Sequence, residues 1–146
     1  MKLFLSGPFF DHEQVERLEK VKNALESLGH EVYSTSHRNS RIDLRSAAER
    51  NDRFRLLCEE IANSDGVFAV LDGRDPGTIW EMGYAFALGK PMIAFSEMEG
   101  YFSLMIDQSA TYIEGFDKIT KEIEAYMKAD DINSTPRYSV FDKEDR

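Results

Sequence analysis

One stretch, residues 64–95, constrains the fold of this chain more than any other: SDGVFAVLDGRDPGTIWEMGYAFALGKPMIAF. It begins with a run of apolar and small residues, Gly66-Val67-Phe68-Ala69-Val70-Leu71. A continuous apolar run bounded by turn residues marks a strand buried on both faces, as in a parallel sheet. A loop crowded with carboxylates follows, Asp72-Gly73-Arg74-Asp75-Pro76-Gly77, and then a helix expected over 78–88. Gly89-Lys90-Pro91 leads into a second apolar run, Met92-Ile93-Ala94-Phe95. In open parallel sheets ligands bind beyond the carboxyl ends of the strands. This β-loop-α-β unit puts Asp72, Asp75 and Glu81 at such an end.

The rest of the chain supplies matching units. Residues 2–6 read as a first strand ended by Gly7-Pro8. Phe9 and Phe10 then sit in a loop, either plugging the end of the core or forming a wall for a flat base. Val15, Leu18, Val21, Leu25 and Leu28 recur at helical spacing, and Gly29 is a natural stop. A short strand is expected over 30–34, and a polar surface loop over 34–43, with His37 read as a solvated residue rather than a catalytic one. A second helix over 44–63 carries Ala47, Phe54, Leu57, Cys58 and Ile61 on one face. Residues 96–108 read as a loop whose Tyr101, Phe102, Leu104 and Met105 suggest a lid or a subunit contact. A strand over 111–114 and an amphipathic helix over 116–128 complete the pattern. Strands alternating with helices predict a three-layer α/β sandwich, with a five-stranded parallel sheet in flavodoxin-like (Rossmann-like) order. The 146 residues suffice for one domain, placed at 1–128, with 129–146 as a tail, either extended or packed on a neighbouring subunit.

Charge narrows the partners. The net charge of −9 argues against a nucleic-acid polymer or an anionic membrane, which need a basic face. It leaves small nucleosides open. One cysteine, Cys58, excludes an internal disulfide and a thiolate metal cluster, and fits a reducing cytoplasm. The apolar N-terminal run is short and broken by Gly7-Pro8, so it reads as a strand rather than a signal peptide. No metal site and no cofactor are expected.

Two readings of the carboxylate loop stand side by side. Thr78 and Glu81 match a capping box, in which Glu81 only accepts a backbone N–H. Alternatively, Glu81 is a fixed carboxylate near a positive helix end, ionised and able to attack an electrophilic carbon. Capping alone does not explain why Asp72 and Asp75 crowd the same loop. A receiver-type phosphoacceptor would want an acidic pair after the first strand, and a dinucleotide site would want G-x-G-x-x-G there. The chain has Ser6-Gly7-Pro8-Phe9-Phe10 instead.

Asp75-Pro-Gly77-Thr78-Ile-Trp-Glu81-Met-Gly83-Tyr84-Ala85, together with Ser6 to Phe10, Ser64-Asp65 and Gly89-Lys90-Pro91, resembles the nucleoside 2-deoxyribosyltransferase family and its N-glycosidase relatives. The resemblance spans roughly residues 2–123. It implies that Glu81 is the nucleophile toward C1′ of a 2′-deoxyribosyl group, forming a covalent glycosyl ester that a second base or water resolves. It implies that Asp75 holds the 5′-hydroxyl, that Gly77 lets the backbone approach the sugar, that Gly7 lies in the substrate-binding loop after the first strand, and that Phe9 and Phe10 pack on the base. Asp72 is left as a polar residue near the site mouth. Ser103 falls near an asparagine that a neighbouring subunit contributes, so a homodimer or larger homo-oligomer is implied. Three departures stand out. Leu57 occupies the place of a helix aspartate that handles the departing base. Phe4 replaces an aromatic hydroxyl. Asp75 stands where nucleotide-hydrolysing relatives carry a serine that binds phosphate, which favours nucleosides over nucleotides. The expected activity is transfer of 2-deoxyribose between bases. The alternatives are hydrolysis of nucleosides or their 5′-monophosphates, and a non-catalytic nucleoside- or nucleotide-binding module.

Overall fold

A computed structural model describes residues 1–39, 41–98 and 103–127. Expectations for Tyr101, Phe102 and the tail at 129–146 lie outside these residues. The strands are β1 (Lys2–Ser6), β2 (Glu31–Ser34), β3 (Gly66–Val70), β4 (Met92–Ser96) and β5 (Thr111–Glu114). They form one parallel sheet in the order β2-β1-β3-β4-β5, a flavodoxin-like order. Every residue of β3 and β4 is buried, as expected for apolar runs covered on both faces.

The chain leaves β1 in one direction to make β2, then returns past β1 to β3, β4 and β5. Right-handed crossovers in opposite directions put their helices on opposite faces. Accordingly α1 (His12–Ser27) packs Leu18, Val21 and Leu25 against Leu3, Leu5, Phe68 and Phe95. On the other face Ile61 of α3 (Ala47–Asn63) and Met82 and Ala85 of α4 (Pro76–Ala87) pack against Phe4, Val67, Ala69 and Ala94. Each fully buried aliphatic side chain contributes about 1.5–3 kcal/mol.

Several boundaries differ from the sequence expectations. The polar loop after β2 contains a one-turn helix, α2 (Thr35–Arg38). Helix α3 starts at Ala47, because Ser46 accepts the N–H of Glu49 and caps it there. Residues 96–108 include α5 (Leu104–Ser109), capped by Ser103. The helix expected over 116–128 is broken into a 3-10 turn (Phe116–Lys118) and α6 (Ile123–Tyr126). Its backbone bonds there run over two or three residues, Thr120 N–H to Lys118 and Ile123 N–H to Thr120, so no continuous α ladder forms. The apolar stripe Phe116, Ile119, Ile123 and Met127 still covers the sheet. Burial, rather than helix continuity, explains the spacing.

Candidate active site

The reversal of chain direction opens a crevice beyond the carboxyl ends of β1 and β3. Two hollows lie there and meet at Leu57 and Glu81. The polar one, about 90 Å³, is bordered by Ser6, Gly7, Phe9, Ser36, Asp75 and Glu81, among others. The apolar one, about 330 Å³, lies among Phe54, Leu57, Cys58, Ile61, Gly77 and Trp80. The larger has the volume of a small-ligand pocket, and the smaller supplies the polar groups.

The start of α4 decides between the two readings of its carboxylates. Asp75, not Thr78, is the N-cap: its Oδ2 accepts from the Thr78 N–H and from Thr78 Oγ1, both at 2.9 Å. Pro76 takes the first helical position, where its missing N–H costs nothing. Gly77 leaves room for this, since a Cβ there would come within 3.1 Å of Asp75 Oδ2. The capping-box reading of Glu81 is therefore overturned. Glu81 lies one turn further along and reaches the end of β1, where Ser6 Oγ donates to its Oε1 at 2.9 Å.

That position also overturns the expectation that the helix end keeps Glu81 readily ionised, because the dipole effect fades beyond the first turn. Burial pushes the Glu81 carboxyl up to about 7. The Ser6 hydrogen bond works against the shift, and the nearby charge of Asp75 adds to it. A carboxyl poised near neutrality inside a cleft fits a functional role.

Nothing in the sequence pattern assigns a role to Ser6. Phe4, two residues earlier on the same face of β1, is fully buried and stacks on Tyr33 at 5.6 Å. Strand alternation turns Phe4 and Ser6 toward the side of α4, and that periodicity was the available signal. Gly7 is also set by packing, since a Cβ would lie 2.8 Å from Leu18 Cδ2 and 3.1 Å from Val70 Cβ.

Phe9 and Phe10 do not plug the core. They are 42% and 80% exposed, lie nearly parallel with centroids 6.2 Å apart, and border the polar hollow. Leu57 is half-buried between the hollows. Cys58 faces the apolar hollow, and burial, then the charges of Glu81 and Glu59, raise its thiol pKa. Such a thiol suits packing rather than attack.

Two candidates lie apart from this group. Asp72 borders neither hollow; it accepts from the Glu97 N–H at 2.9 Å and lies 3.8 Å from Arg17 Nε. Ser103 accepts from the Ile106 N–H at 3.2 Å and borders neither hollow of its own chain. Among the described residues no group of three or more His, Cys, Asp or Glu side chains is arranged to hold a metal ion. Nor is any described helix long and apolar enough to cross a membrane.

The chain as a whole is similar to known proteins. The family model described as nucleoside 2-deoxyribosyltransferase matches residues 3–116. A solved 2-deoxyribosyltransferase from the psychrotolerant bacterium Bacillus psychrosaccharolyticus is 30% identical, with a TM-score of 0.78 over 89% of this chain and 99% of that one. A CMP N-glycosidase from Clostridium botulinum is 21% identical, with a TM-score of 0.57 over 86% and 97% of the two chains. A conserved protein from Enterococcus faecalis is 20% identical, with a TM-score of 0.71 over 86% and 98%. The last two likenesses concern the fold alone. No curated protein sequence matches.

Proposed function

Since the chain belongs to the nucleoside 2-deoxyribosyltransferase family, we propose that it cleaves the N-glycosidic bond of 2′-deoxynucleosides and transfers the sugar to another base. The observation that carries this reading is Glu81 itself: a carboxyl held by Ser6 at 2.9 Å, with its pKa raised to about 7, at the junction of two hollows.

Ser6 holds Oε1, which leaves Oε2 to attack C1′. The C1′–N bond breaks as the C1′–O bond to Glu81 forms, through an oxocarbenium-like transition state. Desolvation raises the basicity of the carboxylate and so its nucleophilicity. The glycosyl ester then meets a second base at C1′, and Glu81 departs as the leaving carboxylate. Asp75 spends Oδ2 on its cap and offers Oδ1 to the 5′-hydroxyl. Phe9 and Phe10 offer flat faces for the base.

No Lys or Arg is among the described residues bordering either hollow, and two carboxylates are. That charge pattern supports a neutral nucleoside over a 5′-monophosphate. The apolar hollow beside Glu81 supports a base, rather than water, as acceptor. Exposed Leu104 and Met105 on α5, with Phe54 and Trp80 beside the apolar hollow, support self-association that brings Ser103 of one copy toward the site of another.

Incubation with deoxyinosine and adenine, followed by chromatography, is expected to yield deoxyadenosine. Free sugar at the same rate whether or not adenine is present would replace transfer with hydrolysis. No base release from any deoxynucleoside would overturn the reading.

A further inference from the structure

Cleavage leaves electrons on a base nitrogen, and most bases depart far more easily when that nitrogen receives a proton. The crevice has an acid problem. Among the described residues, the ionisable side chains bordering it are Asp75, Glu81 and the thiol of Cys58, whose pKa is raised. Glu81 must be ionised to attack, and Asp75 Oδ2 already accepts two hydrogen bonds. Leu57, between the hollows, has no proton to give.

A different group stands at the edge of the polar hollow. Ser34 ends β2 beside Leu5 of β1, and with Ser36 it borders the hollow that holds Glu81. Ser34 is 1% exposed and occupies the N-cap position of α2, yet its hydroxyl makes no cap bond. It turns instead to His37 Nδ1 at 2.9 Å and to Ser36 Oγ at 3.2 Å, while Ser36 Oγ lies 3.2 Å from the same ring nitrogen. The three groups form a closed triangle. Two of its hydroxyls face the cleft, and its imidazole is exposed and free to exchange protons with water.

We propose that Ser34, Ser36 and His37 form a proton relay to the departing base, a role that rests on the glycosyl-transfer reading above. As the C1′–N bond breaks, its electron pair goes to the base nitrogen. A serine hydroxyl, Ser36 in the more open position, gives its proton to that nitrogen. His37 Nδ1–H replaces it, and the ring takes a proton from water at its other nitrogen. In the second half-reaction the incoming base loses its N–H proton along the same path as its nitrogen bonds to C1′. His37 passes the proton back to water, and Glu81 is released. The serines touch the base, and His37 acts through them.

The test uses substrates that differ in their need for a proton. His37→Ala and Ser36→Ala are assayed on a series of 2′-deoxynucleosides running from deoxyadenosine to 7-methyl-2′-deoxyguanosine, whose cationic base leaves without one. In single-turnover base release without an acceptor base, both variants should lose about 10²-fold in rate on deoxyadenosine and stay within about threefold of wild type on the 7-methyl substrate. His37 is exposed, so folding should survive, and thermal melts check that. Equal losses across the series, or no loss anywhere, would overturn the relay while leaving Glu81 chemistry standing. A wild-type protein that releases no base from any member would overturn both.

Discussion

Two groups of carboxylates stand beyond neighbouring strands, and they are partnered in opposite ways. Beyond β3 and β4, Asp72 accepts from the backbone N–H groups of Glu97 and Met98, while Arg17 Nε lies 2.7 Å from Glu97 Oε2 and 3.8 Å from Asp72. Arg17 also reaches Glu13 at 3.1 Å, and its side chain is only 7% exposed. Burial alone would lower its pKa, but the Glu97 bond and the charges of Asp72, Glu97 and Glu13 raise it. Beyond β1 and β3, Glu81 accepts from Ser6 and Asp75 from Thr78, both neutral donors, and no described Lys or Arg borders their hollows. The residue types and the end of the sheet are the same. A guanidinium and backbone amides commit the first group to holding loops together. The second group keeps a largely buried carboxyl whose pKa is raised to about 7, the group to which the proposed displacement assigns the attack.

The sharpest break in this comparison is Glu81→Ala. It should remove about 10³–10⁴-fold or more of the transfer rate while the protein still folds, as read by steady-state kinetics and a thermal melt. Activity that survives would move the nucleophile out of this group. The converse change is Arg17→Met. It leaves two carboxylates of the loop clamp without their cation, and loss of one partner from a buried pair costs about 3 kcal/mol. Urea unfolding should show that loss, with kcat per folded molecule within a few-fold of wild type. If Arg17→Met abolished turnover at unchanged stability, the division between a structural and a chemical group would fail.

The two groups were unequally legible in the sequence. The apolar runs Val67 to Leu71 and Met92 to Phe95 announced doubly buried strands, and with them the sheet and the crevice. Asp75 and Glu81 were legible because their spacing along one helix is a local property. The identity of the cap was missed: Asp-Pro at residues 75–76 signals N-cap and first helical position as well as Thr78 and Glu81 signal a capping box, and both cannot hold. Asp72 stayed opaque because its partners, Arg17 and the Glu97 amide, are distant in sequence and converge only through the sheet. The Ser34–His37 triangle was hidden similarly, since a one-turn helix inside a polar stretch has too short a period to detect. Ser6 lay in view, but only the fold brings it to Glu81, 75 positions away.

The smallest effect tests the electrostatic half of the comparison. The folded-state pKa of Glu81 is raised from 4.5 to about 7. Below 4.5 the carboxyl is protonated both folded and unfolded and carries no penalty. As pH rises from 4.5 through 7 the unfolded chain ionises while the folded protein keeps its proton, so stability is lost across that window and the loss is complete above it. Glu81→Gln removes the charge and keeps the shape. It should match wild type in stability near pH 4.5 and exceed it at pH 8, by at most about 3 kcal/mol, and less where water reaches the carboxylate. Wild-type kcat/KM should move the other way, rising with pH through about 7 as the nucleophile ionises. Denaturant midpoints and rate profiles across pH 4.5–8 read the two limbs. A stability difference independent of pH would mean that Glu81 is solvated like an ordinary surface carboxylate, and the contrast with the clamped group would then rest on geometry alone.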